Sequence, residues 1–102
     1  MQTSYVTINN QTKTLRGLAH SLKPVVMVGQ NGLKDTIFEE VETALDFHEL
    51  IKVKIAADRD EREEIMNEIL KKSKAEKVQQ IGQVLVLFRR NPENPKIVLP
   101  SK

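Results

Sequence analysis

The chain has 102 residues, 39% hydrophobic and 29% charged, with a formal net charge of +2 and no cysteine. This reads as one soluble globular domain with a single core, and the missing thiols exclude disulfides and thiolate chemistry. The first twenty residues hold no apolar run suited to a signal peptide, and VLVLF at 84–88 is far too short to cross a bilayer, so a cytoplasmic protein away from membranes is expected.

In chain order, Leu15, Leu18, Ala19 and Leu22 recur at helical spacing and predict a helix over 12–22, with Thr12 as its N-cap and Pro24 beyond its end. Gly17 inside that helix costs about 1 kcal/mol relative to alanine. Lys13, Arg16 and Lys23 fall off the apolar stripe and face solvent or a ligand. Val25 to Val28 reads as a short buried strand bounded by Pro24 and Gly29. A second helix is predicted over 34–47, with Ile37, Phe38, Val41, Ala44 and Leu45 on one face. In ELIKVKIA, Ile51, Val53 and Ile55 alternate with Lys52 and Lys54, the period of a strand with one apolar side. Strand, helix and strand in that order imply a parallel crossover.

A third helix starts near DEREE, with Asp60 as the expected N-cap and Glu63 reaching back to it; Ile65, Met66, Ile69 and Leu70 form its stripe. KVQQI and VLVLFRR flank Gly82-Gln83, which suits a type II′ hairpin. Residues 91–102 contain three prolines and read as an extended tail, with Ile97, Val98 and Leu99 as candidate anchors. The order αβαβαββ predicts an α+β fold, one small mixed sheet with helices packed on it. The expected division is an N-terminal extension at 1–10, a domain at 11–90 and a tail at 91–102.

Catalytic patterns are nearly absent. His20 and His48 have no partner at metal-ligand spacing, and Ser4, Ser21, Ser73 and Ser101 sit in no nucleophile motif, so no enzyme, metal, cofactor or small-molecule substrate is expected. Gly29-Gln30-Asn31-Gly32 joins the predicted strand to the second helix. Such a G-x-x-G turn either simply reverses the chain or offers backbone N–H groups and a helix N-terminus to a phosphate. It lacks the Lys-Ser/Thr of a nucleotide-binding P-loop. Charge is distributed in blocks: residues 1–34 hold no acid and four bases, residues 35–70 twelve acids and four bases, and residues 71–102 eight bases and two acids. That pattern suits either a two-sided molecule with a basic face for a polyanion or a set of solvated helix faces.

LRGLAHSLKPVVMVGQNGL, ELIKVKIA and QQIGQVLVLFRR together resemble the YhbY/CRM-domain family, the chloroplast RNA splicing and ribosome maturation domain, over about residues 11–90. As a stand-alone copy, the chain is similar to the bacterial members. The resemblance implies a four-stranded mixed sheet in a two-layer α/β sandwich, similar to the C-terminal domain of a bacterial translation initiation factor. It also implies binding to ribosomal RNA in large-subunit precursors. By position the family loop is Gly29, Gln30, Asn31 and Gly32, without the lysine that many members carry inside it. The expected RNA-binding set is that loop with Lys34, Lys13, Arg16 and Lys23, together with Lys52 and Lys54. Arg89 and Arg90 either join that surface or solubilise a strand end. With Tyr5 as the lone tyrosine and Phe38, Phe47 and Phe88 suited to core positions, base stacking is not expected. A monomer is expected. The alternative is an adaptor whose acidic helices dock a basic protein on ribosomal particles.

Overall fold

The computed structural model describes residues 9–29 and 31–98, with side chains from residue 11 onward. Its elements are α1 (Asn9–Ala19), β1 (Val26–Val28), α2 (Asp35–His48), β2 (Leu50–Ile55), α3 (Arg59–Ser73), β3 (Glu76–Ile81) and β4 (Val84–Phe88). The predicted order is therefore present. The sheet runs β1-β2-β4-β3, with β1 parallel to β2 and β4 antiparallel to both of its neighbours.

Alternation along the strands divides the apolar residues between two faces. On one face Val28, Ile51, Val53, Ile55, Leu85 and Leu87 pack with Val41 and Leu45 of α2 and Met66 and Ile69 of α3. Those helices and the sheet form the expected two-layer unit. The opposite face carries Leu50, Val78, Val86 and Phe88, and here α1 lays down Leu15 and Ala19. The first helix thus covers the far side of the sheet from the other two. Sequence periodicity identifies which stripe of a helix is apolar but not which face of a sheet receives it.

Three local expectations are corrected. Residues Asn9–Ala19 form α1, so Thr12 lies inside it and Leu22 beyond it. The buried stripe is Gln11, Leu15 and Ala19 at four-residue spacing, whereas Leu18 and Leu22 are 43% and 38% exposed. The N-cap of α3 is Asp58, not Asp60: its carboxylate accepts the Glu61 N–H at 3.0 Å. Of the tail anchors, Ile97 packs on the second core cluster and Val98 is 89% exposed, while Leu99 lies outside the described residues. The hairpin is as read. Ile81 pairs with Val84 across two residues, and φ is +58° at Gly82 but not positive at Gln83, the combination of a type II′ turn.

A Cβ added at Gly17 would meet nothing within 4 Å, so no packing requires this glycine. Gly17→Ala is expected to raise stability by about 0.5–1 kcal/mol through helix propensity, read as a higher denaturant midpoint at unchanged slope.

Candidate nucleic-acid interface

The sheet separates the charges. Acids cluster on α2 and α3, whereas α1 has no acid and exposes Lys13 and Arg16 on the other side of the sheet. Lys52 and Lys54 are out of phase with Ile51, Val53 and Ile55, so they emerge on the α1 side. Lys52 Nζ donates to the Leu22 carbonyl at 2.9 Å and pins the chain leaving α1. Val25 N–H donates to the Lys52 carbonyl at 3.0 Å, and Lys23 is exposed just before it. Arg16 reaches across to donate from Nε to the Val78 carbonyl at 3.4 Å, which orients the side chain along the sheet.

The loop after β1 stands at the end of the sheet where β1 and β2 finish, beside Ala56, whose N–H donates to the Val28 carbonyl at 2.9 Å. Gly32 N–H closes a turn onto the Gly29 carbonyl at 3.1 Å. Gln30 lies outside the described residues, and Asn31 is exposed. The two glycines differ in what they do. Gly32 has φ +82°, which a side chain strains, while Gly29 has no positive φ and a Cβ there would point into open space. Lys34 then takes the N-cap position of α2, extended and with no side-chain cap hydrogen bond. The first N–H groups of α2 are therefore left without a side-chain acceptor from the cap residue, beside an exposed ammonium.

Arg89 and Arg90 stand apart from the loop and are ion-paired, not solvated strand-end charges. They follow β4, whose last residue pairs with the first residue of β2, at the opposite end of the sheet from the loop. Arg89 bridges Glu42 at 2.9 Å and Asp46 at 2.8 Å and donates to the Ser73 carbonyl, tying α2 to α3. Arg90 meets the carboxylate of Glu49 at 3.0 Å. Both guanidinium groups neutralise acids of α2 and its C-cap, so these two cations of the third block are already paired within the domain.

Two residues matter more than their sequence context suggests. Glu49 is fully buried, with φ +67°, and accepts N–H bonds from Asn91, Lys96 and Ile97 besides the Arg90 pair. Burial by itself pushes its carboxyl up, but the three N–H donors and Arg90 outweigh it and hold the group below the usual glutamate range. Its partners lie more than forty residues away, so no local signal announces the role. Phe47, in contrast, is 64% exposed rather than in the core. The stripe of Ile37, Val41, Ala44 and Leu45 already leaves position 47 off-phase, and that was the legible signal.

Among the described residues, no three His, Asp or Glu side chains gather as metal ligands, and no helix is long and apolar enough to cross a membrane.

The CRS1/YhbY (CRM) domain pattern matches residues 8–89, most of the chain. The chain belongs to the CRS1/YhbY (CRM) domain family. This CRM domain is 53% identical over 93 residues to a Haemophilus influenzae protein named "RNA-binding protein", covering 90% of this chain and 93% of the relative. It is 35% identical over 91 residues to Bacillus subtilis YqeI, named "Probable RNA-binding protein", across 88% of this chain and 95% of that one. The solution structure of the hypothetical protein SAV1595 from Staphylococcus aureus superposes with a TM-score of 0.77 at 30% identity, covering 93% of this chain and all of that one. The four-stranded sheet and three helices described above are thus a CRM fold.

Proposed function

We propose that this CRM domain is a non-catalytic RNA-binding protein. Its ligand is ribosomal RNA in precursors of the large subunit, met in the cytoplasm by a monomer whose domain spans residues 11–90. The carrying observation is the placement of acid-free α1, Lys52 and Lys54 on the face opposite the acidic helices. A polyanion approaching that face meets Lys13, Arg16 and Lys23 without crossing a carboxylate of α2 or α3. The names of the relatives point to the same class of ligand.

Within this reading the roles divide. The α1 cations and Lys23 hold phosphates, and Lys34 adds charge at the mouth of the loop. Gly29 to Gly32 bring backbone donors and the amides of Gln30 and Asn31 to the ribose-phosphate chain. Lys52 braces the Leu22 carbonyl, so its main part is to position the segment bearing Lys23. The adaptor reading loses ground because Arg89 already occupies Glu42 and Asp46.

Crosslinking in cells followed by sequencing of the bound RNA tests the proposal. Enrichment of large-subunit ribosomal RNA, with adducts on residues 13–34, is expected. Adducts to protein on α2 and α3 without RNA would favour the adaptor instead. The loop has its own test. Gly29→Ala is expected to weaken RNA binding by about fivefold at unchanged stability, since the added methyl meets only the ligand. Gly32→Ala is expected to cost about 1–2 kcal/mol of stability through its positive φ. Unchanged affinity in Gly29→Ala would mean that the loop does no more than turn the chain.

A further inference from the structure

A groove of about 610 Å³ opens where the end of α1, the end of α2, the start of β2 and the tail meet. Leu18, Leu22, Val25 and Phe47 line it, and all four are substantially exposed. Its polar lining is Ser21, Lys23, His48 and Lys96, and no carboxylate occurs among its lining residues. Phe47, Val25 and His48 also border a second depression, and that one is lined by Glu39 and Glu40. Val25, Phe47 and His48 therefore stand between an apolar groove with two lysines on its rim and a depression with two glutamates on its own. His48 braces the ring edge-on, with centroids 5.0 Å apart at 87°, and Lys96 Nζ lies over the ring face, 5.4 Å from its centroid, so an entering base displaces this ammonium from the ring.

We infer that this groove takes one unstacked nucleobase of single-stranded RNA, stacked on Phe47, with the adjoining phosphates directed to Lys23 and Lys96. The inference rests on the RNA-binding reading and adds to it a base-contacting site. Charge decides the occupant. An apolar, aromatic floor with two lysines on its rim suits a flat uncharged base carried on an anionic backbone, and the acids beyond Phe47 direct that backbone toward Lys23. Continuity decides it further: Lys23 is both a rim residue here and a cation of the α1 surface, and β1 leads from Val25 straight to the Gly29–Gly32 turn. The tail completes the wall. Lys96 and Ile97 are held in place by their N–H bonds to buried Glu49 at 2.8 and 2.9 Å. Stacking on one exposed ring also gives the protein a contact to bases that the phosphate-directed α1 face lacks.

The test compares a mixed-sequence 12-nucleotide single-stranded RNA with an abasic oligoribonucleotide of the same length, bound to the full chain. Phe47→Ala is expected to weaken the base-bearing RNA by about fivefold to a hundredfold, the range for loss of one stacked base. Binding of the abasic strand and the slope of log K against log salt are expected to stay unchanged, and Phe47→Trp is expected to restore affinity. The exposed position keeps Phe47→Ala folded, which a thermal melt verifies. Equal affinity of Phe47→Ala and the parent for the base-bearing strand, with the salt slope intact, overturns the base site and leaves the RNA reading standing. Absence of RNA binding by the parent protein overturns both. A Phe47→Ala change in sedimentation from dimer to monomer, with RNA affinity unaltered, identifies a second copy as the occupant and overturns the inference.

Discussion

Glu49→Ala is expected to lower the unfolding free energy by about 3–5 kcal/mol, the scale for removing one half of a buried ion pair. Against the 5–15 kcal/mol typical of a domain, that leaves the variant marginal. The substitution strands the Arg90 guanidinium, which stands 3.0 and 3.2 Å from the two carboxylate oxygens. It also leaves the N–H groups of Asn91, Lys96 and Ile97 without their acceptor. Alanine keeps the Cβ that glutamate already carries at φ +67°, so relief of backbone strain does not confuse the measurement. Chemical denaturation reads the loss, and hydrogen exchange at the Lys96 and Ile97 amides reads release of the tail.

The same carboxylate makes stability depend on pH with a defined sign. Its folded-state pKa lies below the ordinary value because the N–H donors and Arg90 outweigh burial. The stabilisation is therefore fully present above the unfolded-state pKa of about 4.3 and is lost as pH falls through the lower folded-state value. Melting from pH 7 to pH 3 is expected to show a steeper acid loss in the parent protein than in Glu49→Gln, which cannot titrate at this position. Parallel curves for the two proteins would remove Glu49 as the acid-sensitive group.

The second large effect concerns RNA affinity. Replacing Lys13, Arg16 and Lys23 together by alanine is expected to weaken binding about a hundredfold near 0.1 M salt. Three lost phosphate contacts, at about 0.7–0.9 in log-log slope each, account for that loss and predict its decline toward 1 M salt. All three side chains are exposed, and the Arg16 bond to the Val78 carbonyl is a long one at 3.4 Å, so the fold is expected to survive. Lys71, Lys72 and Lys74, at the end of α3, supply a control of equal charge. Their replacement is expected to leave the slope nearly unchanged. Equal losses for the two triple variants would show that net charge, not the α1 face, governs binding.

Much of this was legible from the sequence by itself. The α, β and hairpin segments were set by local periodicity and turn chemistry. Apolar residues three and four apart mark a helix, alternation marks β2, and Gly82-Gln83 fits only a tight hairpin. The acid-free first third and the G-x-x-G turn pointed to the candidate surface, because residue types and short spacings carry that information. Tertiary structure decided what depends on distant segments meeting. It set α1 on the far side of the sheet from α2 and α3, which turns charge blocks in sequence into charged faces in space. It turned Arg89 and Arg90 inward, because the acids that hold them belong to α2 and its C-cap, forty residues earlier. It also buried Glu49 beneath the tail and left Phe47 at the lip of a groove that four separate segments build. Hydrophobic period and turn propensity act over a few residues, whereas ion pairing and groove formation depend on which surfaces the packed sheet brings together.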